Sequence, residues 1–311
     1  MALAEFDLIR RYFAVYQPQN QQTQLGIGDD CALVNLPADC QLAVTTDTMV
    51  ENVHFFADVD PAALGHKLLA VNLSDLAAMG AEPFAVTLAL TLPKINPDWL
   101  AGFSQGFMRL AQTHQVDLIG GDTTSGPLCL TVQALGKLPR GSALIRSGAQ
   151  AGDLIYVTGC LGDAGLGLKI KQGYYCKEPQ SALERFNWPQ PRLAQGLALR
   201  GLASACIDIS DGLAADLGHI LEQSGVGASL NWDNLPLSVA VKDYIDSTND
   251  WQLPLTAGDD YELCFTIPPH LASQLCFECY CVGVIEAEAG LRVFRGGQLQ
   301  VLEVRGFEHF A

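Results

Sequence analysis

The chain has 311 residues, with 34 Asp and Glu against 18 Lys and Arg, a formal net charge of −16. That balance argues against nucleic acid and anionic membrane as partners, because both require a positive surface. Hydrophobic residues make up 49%, enough for a large core, and the length suits two domains of ordinary size.

In chain order, residues 41–46 read as a strand with Leu42 and Val44 on one face. Asp60-Pro61 opens a helix, since Asp suits the N-cap and Pro the first helical position. Leu64, Leu68, Val71 and Leu76 follow at near-helical spacing, so this helix carries Ser74 and Asp75 and ends by Gly80. Residues 84–92 alternate as a strand. Residues 98–112 are helical, with Leu100, Phe103, Phe107 and Leu110 on one side. Residues 116–119 form a short buried strand running into Gly120-Gly121, and 128–135 return as another strand. Residues 139–152 are rich in Gly, Ser, Ala and Arg and form the boundary. Beyond it, 154–158, 261–266, 279–285 and 291–294 read as strands, and 162–170, 191–199 and 213–222 as helices. Residues 171–187 and 236–251 show no clear period. The irregular alternation predicts two mixed α+β domains, residues 1–138 and 150–311, rather than one doubly wound sheet.

Ten cysteines are scattered, and Cys279-Tyr-Cys281 is not zinc-ligand spacing. Met1-Ala-Leu-Ala-Glu-Phe-Asp7 lacks a basic run followed by an apolar stretch, so no export signal is expected. No apolar run approaches the ~20 residues of a membrane span. A reduced, cytoplasmic protein is expected.

Acidic residues recur in turns of small residues. Gly28-Asp29-Asp30 follows Leu25 and Ile27. Glycine there permits the close backbone approach a phosphate needs, and the same pair is common in surface turns. The adjacent carboxylates diverge, so one can reach a metal while the other caps the turn. Thr46-Asp47-Thr48 ends an apolar strand, where a rigid scaffold presents ligands. Asp47 there either binds a metal, with Thr45 and Thr46 oxygens as further hard donors, or caps an edge turn. Asp75 lies between Leu73 and Leu76. On a buried face it needs a partner or a metal; on a polar stripe it needs neither. Gly120-Gly121-Asp122 is either an ordinary turn or an elbow whose N–H groups face an anion while Asp122 holds a metal. Asp208-Ile-Ser-Asp211 sets two carboxylates three apart before a helix entered at Gly212. They converge on one ion or cap the helix. His54 is structural or ligand-contacting, and Arg146 is a solvated linker charge or a phosphate contact. Neither a Walker loop, a protein-kinase signature nor a nucleophile elbow is present. Carboxylates gathered together need divalent cations, which a polyphosphate can share, so the pattern points to a magnesium–nucleotide enzyme.

Order and spacing carry more than any single motif. Leu25-Gly-Ile-Gly-Asp-Asp-Cys-Ala-Leu33, Thr45-Thr-Asp-Thr48, His54-Phe55, Val71-Asn-Leu-Ser-Asp-Leu-Ala-Ala-Met-Gly80, Leu118-Ile-Gly-Gly-Asp-Thr-Thr124, Arg146-Ser-Gly148, Ile207-Asp-Ile-Ser-Asp-Gly-Leu213 and Asp260-Tyr-Glu-Leu263 closely resemble the bacterial thiamine-monophosphate kinases. That family shares a superfamily with aminoimidazole ribonucleotide synthetase and selenophosphate synthetase. The resemblance runs from Glu5-Phe6 to Gly306-Phe-Glu-His-Phe310. It implies a two-domain α+β fold, a homodimer whose N-terminal strands complete a barrel, and transfer of phosphate from ATP to thiamine monophosphate with Mg²⁺. Carried across by motif, Asp30, Thr45, Thr46, Asp47, Asp75, Asp122, Asp208 and Asp211 match magnesium-binding positions. Gly121, Asp122, Arg146 and Ser210 match ATP-contacting positions, and His54, Asp259 and Phe307 match substrate contacts. Asp122, Asp211 and Arg146 are the expected catalytic set. This chain reads Gly258-Asp259-Asp260-Tyr261-Glu262 where the family usually has Gly-Glu-Asp-Tyr-Glu, one methylene longer at the second position. Two rivals stand beside the thiamine reading: another phosphate acceptor on the same fold, and a catalytically silent nucleotide or metal binder.

Overall fold

The structure is a computed structural model that describes residues 5–302, so Phe307 lies outside the described residues. The described chain divides into two compact units. One runs up to Leu76 and resumes over Ala81–Gly141; the other takes in Ala77–Gly80 and everything from Ser142 onward.

The first unit holds helix α1 (Glu5–Tyr12), strands β1 (Thr23–Leu25), β2 (Leu33–Val34) and β3 (Cys40–Val50), helix α2 (Pro61–Ala78), strand β4 (Glu82–Leu92), helix α3 (Pro97–Thr113), and strands β5 (Asp117–Ser125) and β6 (Cys129–Pro139). The strands β1 and β2 pair as a ribbon, and a four-stranded sheet follows in the order β3-β6-β4-β5. In that sheet β4 and β5 run parallel and the other pairs antiparallel. The Asp60 side chain caps α2 as the sequence predicts, accepting the Ala62 N–H at 2.7 Å. From residue 63 to 78 every residue of α2 is buried except Asp75. The helices α2 and α3 touch closely at Gly106, where an added Cβ would lie 1.9 Å from the Ala62 carbonyl oxygen.

Two local predictions change. The strand β3 continues to Val50, so Thr45–Thr48 lie inside it rather than at its end; the β-branched run Val44-Thr45-Thr46 suits an extended strand and the ladder with β6 carries it on. Gly120-Gly121-Asp122 is also strand rather than turn. Gly121 sits at φ +152°, and its missing side chain lets β5 lie against the Leu88 carbonyl, 1.8 Å from where a Cβ would be. The turn signal of a glycine pair was really a close-approach signal.

The second unit holds β7 (Leu154–Val157), α4 (Asp163–Lys171), α5 (Gln180–Asn187), α6 (Leu193–Ala198), β8 (Ala205–Asp208), α7 (Leu213–Ser224), β9 (Gly227–Asn231), α8 (Val239–Thr248), α9 (Leu253–Thr256), β10 (Leu263–Ile267), β11 (Tyr280–Glu286), β12 (Gly290–Arg295) and β13 (Gln298–Gln300). Its seven-stranded sheet has the order β13-β12-β9-β11-β7-β10-β8. Ile155, Val157, Ile207, Leu213, Leu217 and Ile220 pack in its core. The helices α5 and α8 fall where no period was legible, because each buries few side chains: Ala182 and Phe186 in one, Val241, Tyr244 and Ile245 in the other. The predicted strand at 261–266 begins later, at Leu263, because Tyr261 is held at φ +49°. Both units are therefore mixed α/β.

Candidate active site

In the first unit two of the acidic residues, Asp47 and Asp75, meet at the join of β3 and α2. The Thr45 hydroxyl donates to Asp75 Oδ2, and the Asp47 N–H donates to Asn72 Oδ1 at 3.2 Å. Asn72 is itself anchored, donating from Nδ2 to the Leu68 carbonyl at 3.0 Å. These contacts set Asp47 beside Asp75. Burial, and then the Asp75 charge, push the Asp47 carboxyl from 3.8 up to about 7. Two neighbouring carboxylates with a hydroxyl between elements make a hard-oxygen donor set. Among the described residues, no three His, Cys, Asp or Glu side chains gather into a set able to hold a metal ion. Magnesium fits that arrangement, since it is usually bound by one or two carboxylates with substrate phosphates and water completing the shell.

Asp122 lies elsewhere in the same sheet. Asp47 pairs with Val132, Val132 with Leu88, and Leu88 with Gly121. Asp47 and Gly121 thus end one row, three strand spacings or roughly 14 Å apart. Asp122 falls in the next row with Ala89, Thr131 and Thr48, on the face where the Thr48 and Thr131 hydroxyls meet at 2.8 Å. By the alternation of the pleat this is the face opposite Asp47. Asp30 sits in an exposed bend after Gly28, and Asp29 caps that bend by accepting the Asp30 N–H at 2.9 Å. His54 lies in the turn after β3, where its Nδ1 accepts the Val50 N–H at 3.0 Å, so the neutral ring carries its proton on Nε2. A cavity of about 270 Å³ lined by Tyr16, Gln19, Met108 and Asp117 lies at the start of β5. Asp30, Asp47, Asp75 and Asp122 are not among its lining residues.

In the second unit Asp208 ends β8, and the loop after it carries Ser210 and Asp211 into α7. A second loop, residues 258–262, is stitched to it: the Asp259 N–H donates to the Ser210 carbonyl at 2.9 Å, the Tyr261 N–H to the Ile209 carbonyl at 2.8 Å, and the Ile209 N–H to the Glu262 carbonyl at 2.8 Å. Ser210, with Asp211 after it in the chain, therefore lies next to the predicted substrate residue Asp259. That residue stands at φ +68°, and its Oδ1 accepts the Tyr261 hydroxyl at 2.9 Å. Behind the loop, Glu262 is fully buried and grips Arg185 at 2.6 Å, Arg192 through Nε at 2.6 Å, and the Thr158 hydroxyl at 2.6 Å. Asp260, also buried, accepts the Gly162 N–H at 2.8 Å. Burial pushes its carboxyl up to about 8 against that hydrogen bond. Arg146 is not gathered with this loop. The Ser224 hydroxyl donates to its carbonyl at 3.3 Å, at the far end of an α7 about 18 Å long.

Residues 28–138 match the family described as AIR synthase related protein, N-terminal domain, and residues 150–294 match its C-terminal domain. The thiamine-monophosphate kinase of Salmonella typhimurium is 46% identical over 323 aligned positions, covering 100% of this chain and 99% of that protein. The chain belongs to the thiamine-monophosphate kinase family. Its curated relatives are phosphate-transferring kinases, and this chain is an enzyme of that kind. Among solved structures, the thiamine-monophosphate kinase of Stenotrophomonas maltophilia K279a is 43% identical with a TM-score of 0.85, covering 96% of this chain and 99% of that one. A structure described as AaThiL complexed with AMPPCP and TMP is 30% identical with a TM-score of 0.80, covering 99% and 97%.

One residue escaped the sequence reading. Asp216, in the first turn of α7, is buried, and its Oδ2 accepts three consecutive N–H groups from Ser210, Asp211 and Gly212 at 2.9, 3.0 and 3.1 Å. Burial, with a contribution from the Asp211 charge, pushes it to about 7 against those hydrogen bonds. The available signal was an Asp placed five residues after Asp211 at the start of an apolar helix.

Proposed function

We propose that this chain transfers the γ-phosphoryl group of ATP directly to thiamine monophosphate, giving thiamine diphosphate and ADP. The observation that carries this reading is identity of 46% over the whole of both chains with a thiamine-monophosphate kinase. A 30%-identical structure described as a complex with AMPPCP and TMP supports the same pair of small-molecule substrates.

The acceptor is a phosphomonoester oxygen, largely deprotonated near neutral pH because its second pKa is ~6. A strong general base is therefore unnecessary, and the work of the protein is to bring two anions into line. Asp47 and Asp75, with Thr45 and Thr46 beside them, are the principal Mg²⁺ holders; Asp30, Asp122, Asp208 and Asp211 hold further ions. Bound Mg²⁺ screens the repulsion between the phosphates and orients them. Gly121, Asp122, Ser210 and Arg146 contact the nucleotide. Asp122, Asp211 and Arg146 serve the transferred phosphoryl group. His54, Asp259 and Phe307 contact thiamine monophosphate, with Tyr261 turning the shorter Asp259 carboxylate. No phosphoenzyme forms.

We place the protein in the cytoplasm as a homodimer. All ten cysteines are free thiols, as a reducing compartment favours. Among the described residues no helix is long and apolar enough to cross a membrane. The strands β3 and β5 are the open edges of their sheet, and Leu42 and Val44 on β3 are 47% and 52% exposed. A second copy that closes the sheet into a barrel covers that apolar face.

Following ADP formation with and without thiamine monophosphate tests the reading. ADP released only when thiamine monophosphate is present is expected. Turnover indifferent to it, or driven only by a different acceptor, overturns the assignment.

A further inference from the structure

Asp216 is 2% exposed. A carboxylate buried in a core of Leu213, Leu217 and Ile220 is costly unless its oxygens are hydrogen-bonded. Here one oxygen collects three amides in succession. An ordinary helix cap takes amides from inside the first turn. Two of these belong to the loop before the helix and the third to its N-cap residue, Gly212. Successive backbone N–H groups turned to one point form the kind of nest that binds phosphate in other proteins. In this loop the nest is filled by the protein's own carboxylate.

The carbonyls of the loop are committed as well, Ile209 to the Tyr261 N–H and Ser210 to the Asp259 N–H. Gly258 packs so closely that an added Cβ would lie 2.2 Å from the Ser210 oxygen. Asp216 holds the loop from one side and residues 258–262 from the other. With both sets of backbone groups in use, Ser210 and Asp211 remain half-exposed on a fixed backbone.

We propose that Asp216 is a positioning residue for nucleotide binding: it never touches the ligand, and its Oδ2 sets the backbone from which Ser210 and Asp211 meet the metal–nucleotide. This deepens the kinase reading and rests on it for the identity of the ligand. Asp216→Asn keeps an acceptor oxygen of the same shape, whereas Asp216→Ala leaves three amides without one.

Three measurements on the full chain test the idea. The first is amide hydrogen exchange at residues 210–212 without ligand, the second calorimetric binding of Mg²⁺·AMPPCP, and the third KM for ATP beside KM for thiamine monophosphate. In Asp216→Ala we expect faster exchange confined to residues 210–212 and binding weaker by about tenfold or more, the effect of losing hydrogen bonds to a charged group. KM for ATP rises with it, and KM for thiamine monophosphate stays within about twofold. Asp216→Asn recovers most of the binding. If Asp216→Ala does not fold, Asp216→Ser, whose short hydroxyl cannot serve three amides, is read in the same way. A folded variant with a lower melting temperature but unchanged exchange and affinity makes Asp216 a helix cap and overturns the proposal, as does an Asn variant as weak as the Ala one. Wild-type protein that binds Mg²⁺·AMPPCP but leaves thiamine monophosphate untouched removes the kinase reading alone.

Discussion

The Thr45 hydroxyl donates to the Asp75 carboxylate across thirty residues of sequence. That bond ties the middle of β3 to the one position of residues 63–78 in α2 that is not buried. It also directs one oxygen of Asp75, so that the Asp75 charge and the burial of Asp47 act on the same carboxyl.

Protein stability should report this coupling. Asp47 titrates near 7 in the fold against 3.8 in an unfolded chain. A raised carboxyl contributes stability that is full below its unfolded value and is lost as pH rises through the folded one. Without Mg²⁺, the melting temperature should fall from about pH 4 to about pH 8, and part of that slope should vanish in Asp47→Asn. Asp216, Asp260 and Asp163 add to that slope, as all three are also raised. Mg²⁺ needs the ionised carboxylate, so the ion should raise the melting temperature more at the upper end of the range. Identical slopes in Asp47→Asn and wild type would falsify the coupling.

Asp122→Asn should abolish turnover and leave the fold intact. The side chain is exposed on an edge strand, so the amide costs little packing, while the charge is lost where phosphates must be neutralised. Circular dichroism and steady-state kinetics decide it. A kcat near the wild-type value takes Asp122 out of the site.

Gly121→Ala should destabilise the first unit by about 2 kcal/mol or more. The methyl group would enter the space of the Leu88 carbonyl at a backbone angle of +152° that side chains avoid. Urea unfolding measures the loss, and a midpoint equal to that of the wild type would show that β5 can shift without harm.

Glu262→Gln should cost about 3 kcal/mol or more, because it leaves Arg185 and Arg192 without their buried counter-charge. Chemical denaturation reads the stability. KM for thiamine monophosphate should rise with it, since the same residue ends the loop that carries Asp259. A loss below about 1 kcal/mol would mean that the two arginines find water instead.

Much of the molecule was legible in short stretches. Asp60-Pro61 and the apolar spacing of α2 and α3 are local signals, and they mark helices because they act within one or two turns of chain. The acidic motifs could also be recognised together as those of a thiamine-monophosphate kinase. The helices α5 and α8 were hidden because each offers only a few buried anchors. The glycine pair before Asp122 was misread because one residue type serves both turns and close strand contacts.

The sequence by itself determined which residues carry charge, where the backbone can bend sharply and which faces are apolar. Only the tertiary structure decided which charges meet. Asp47 reaches Asp75 through the crossing of a strand and a helix, Glu262 reaches Arg192 across seventy residues, and Asp122 is turned to the sheet face away from Asp47 by a register that no local signal specifies. The reason is physical: burial and Coulomb coupling depend on distance in space, and spacing along the chain fixes that distance only within a single element.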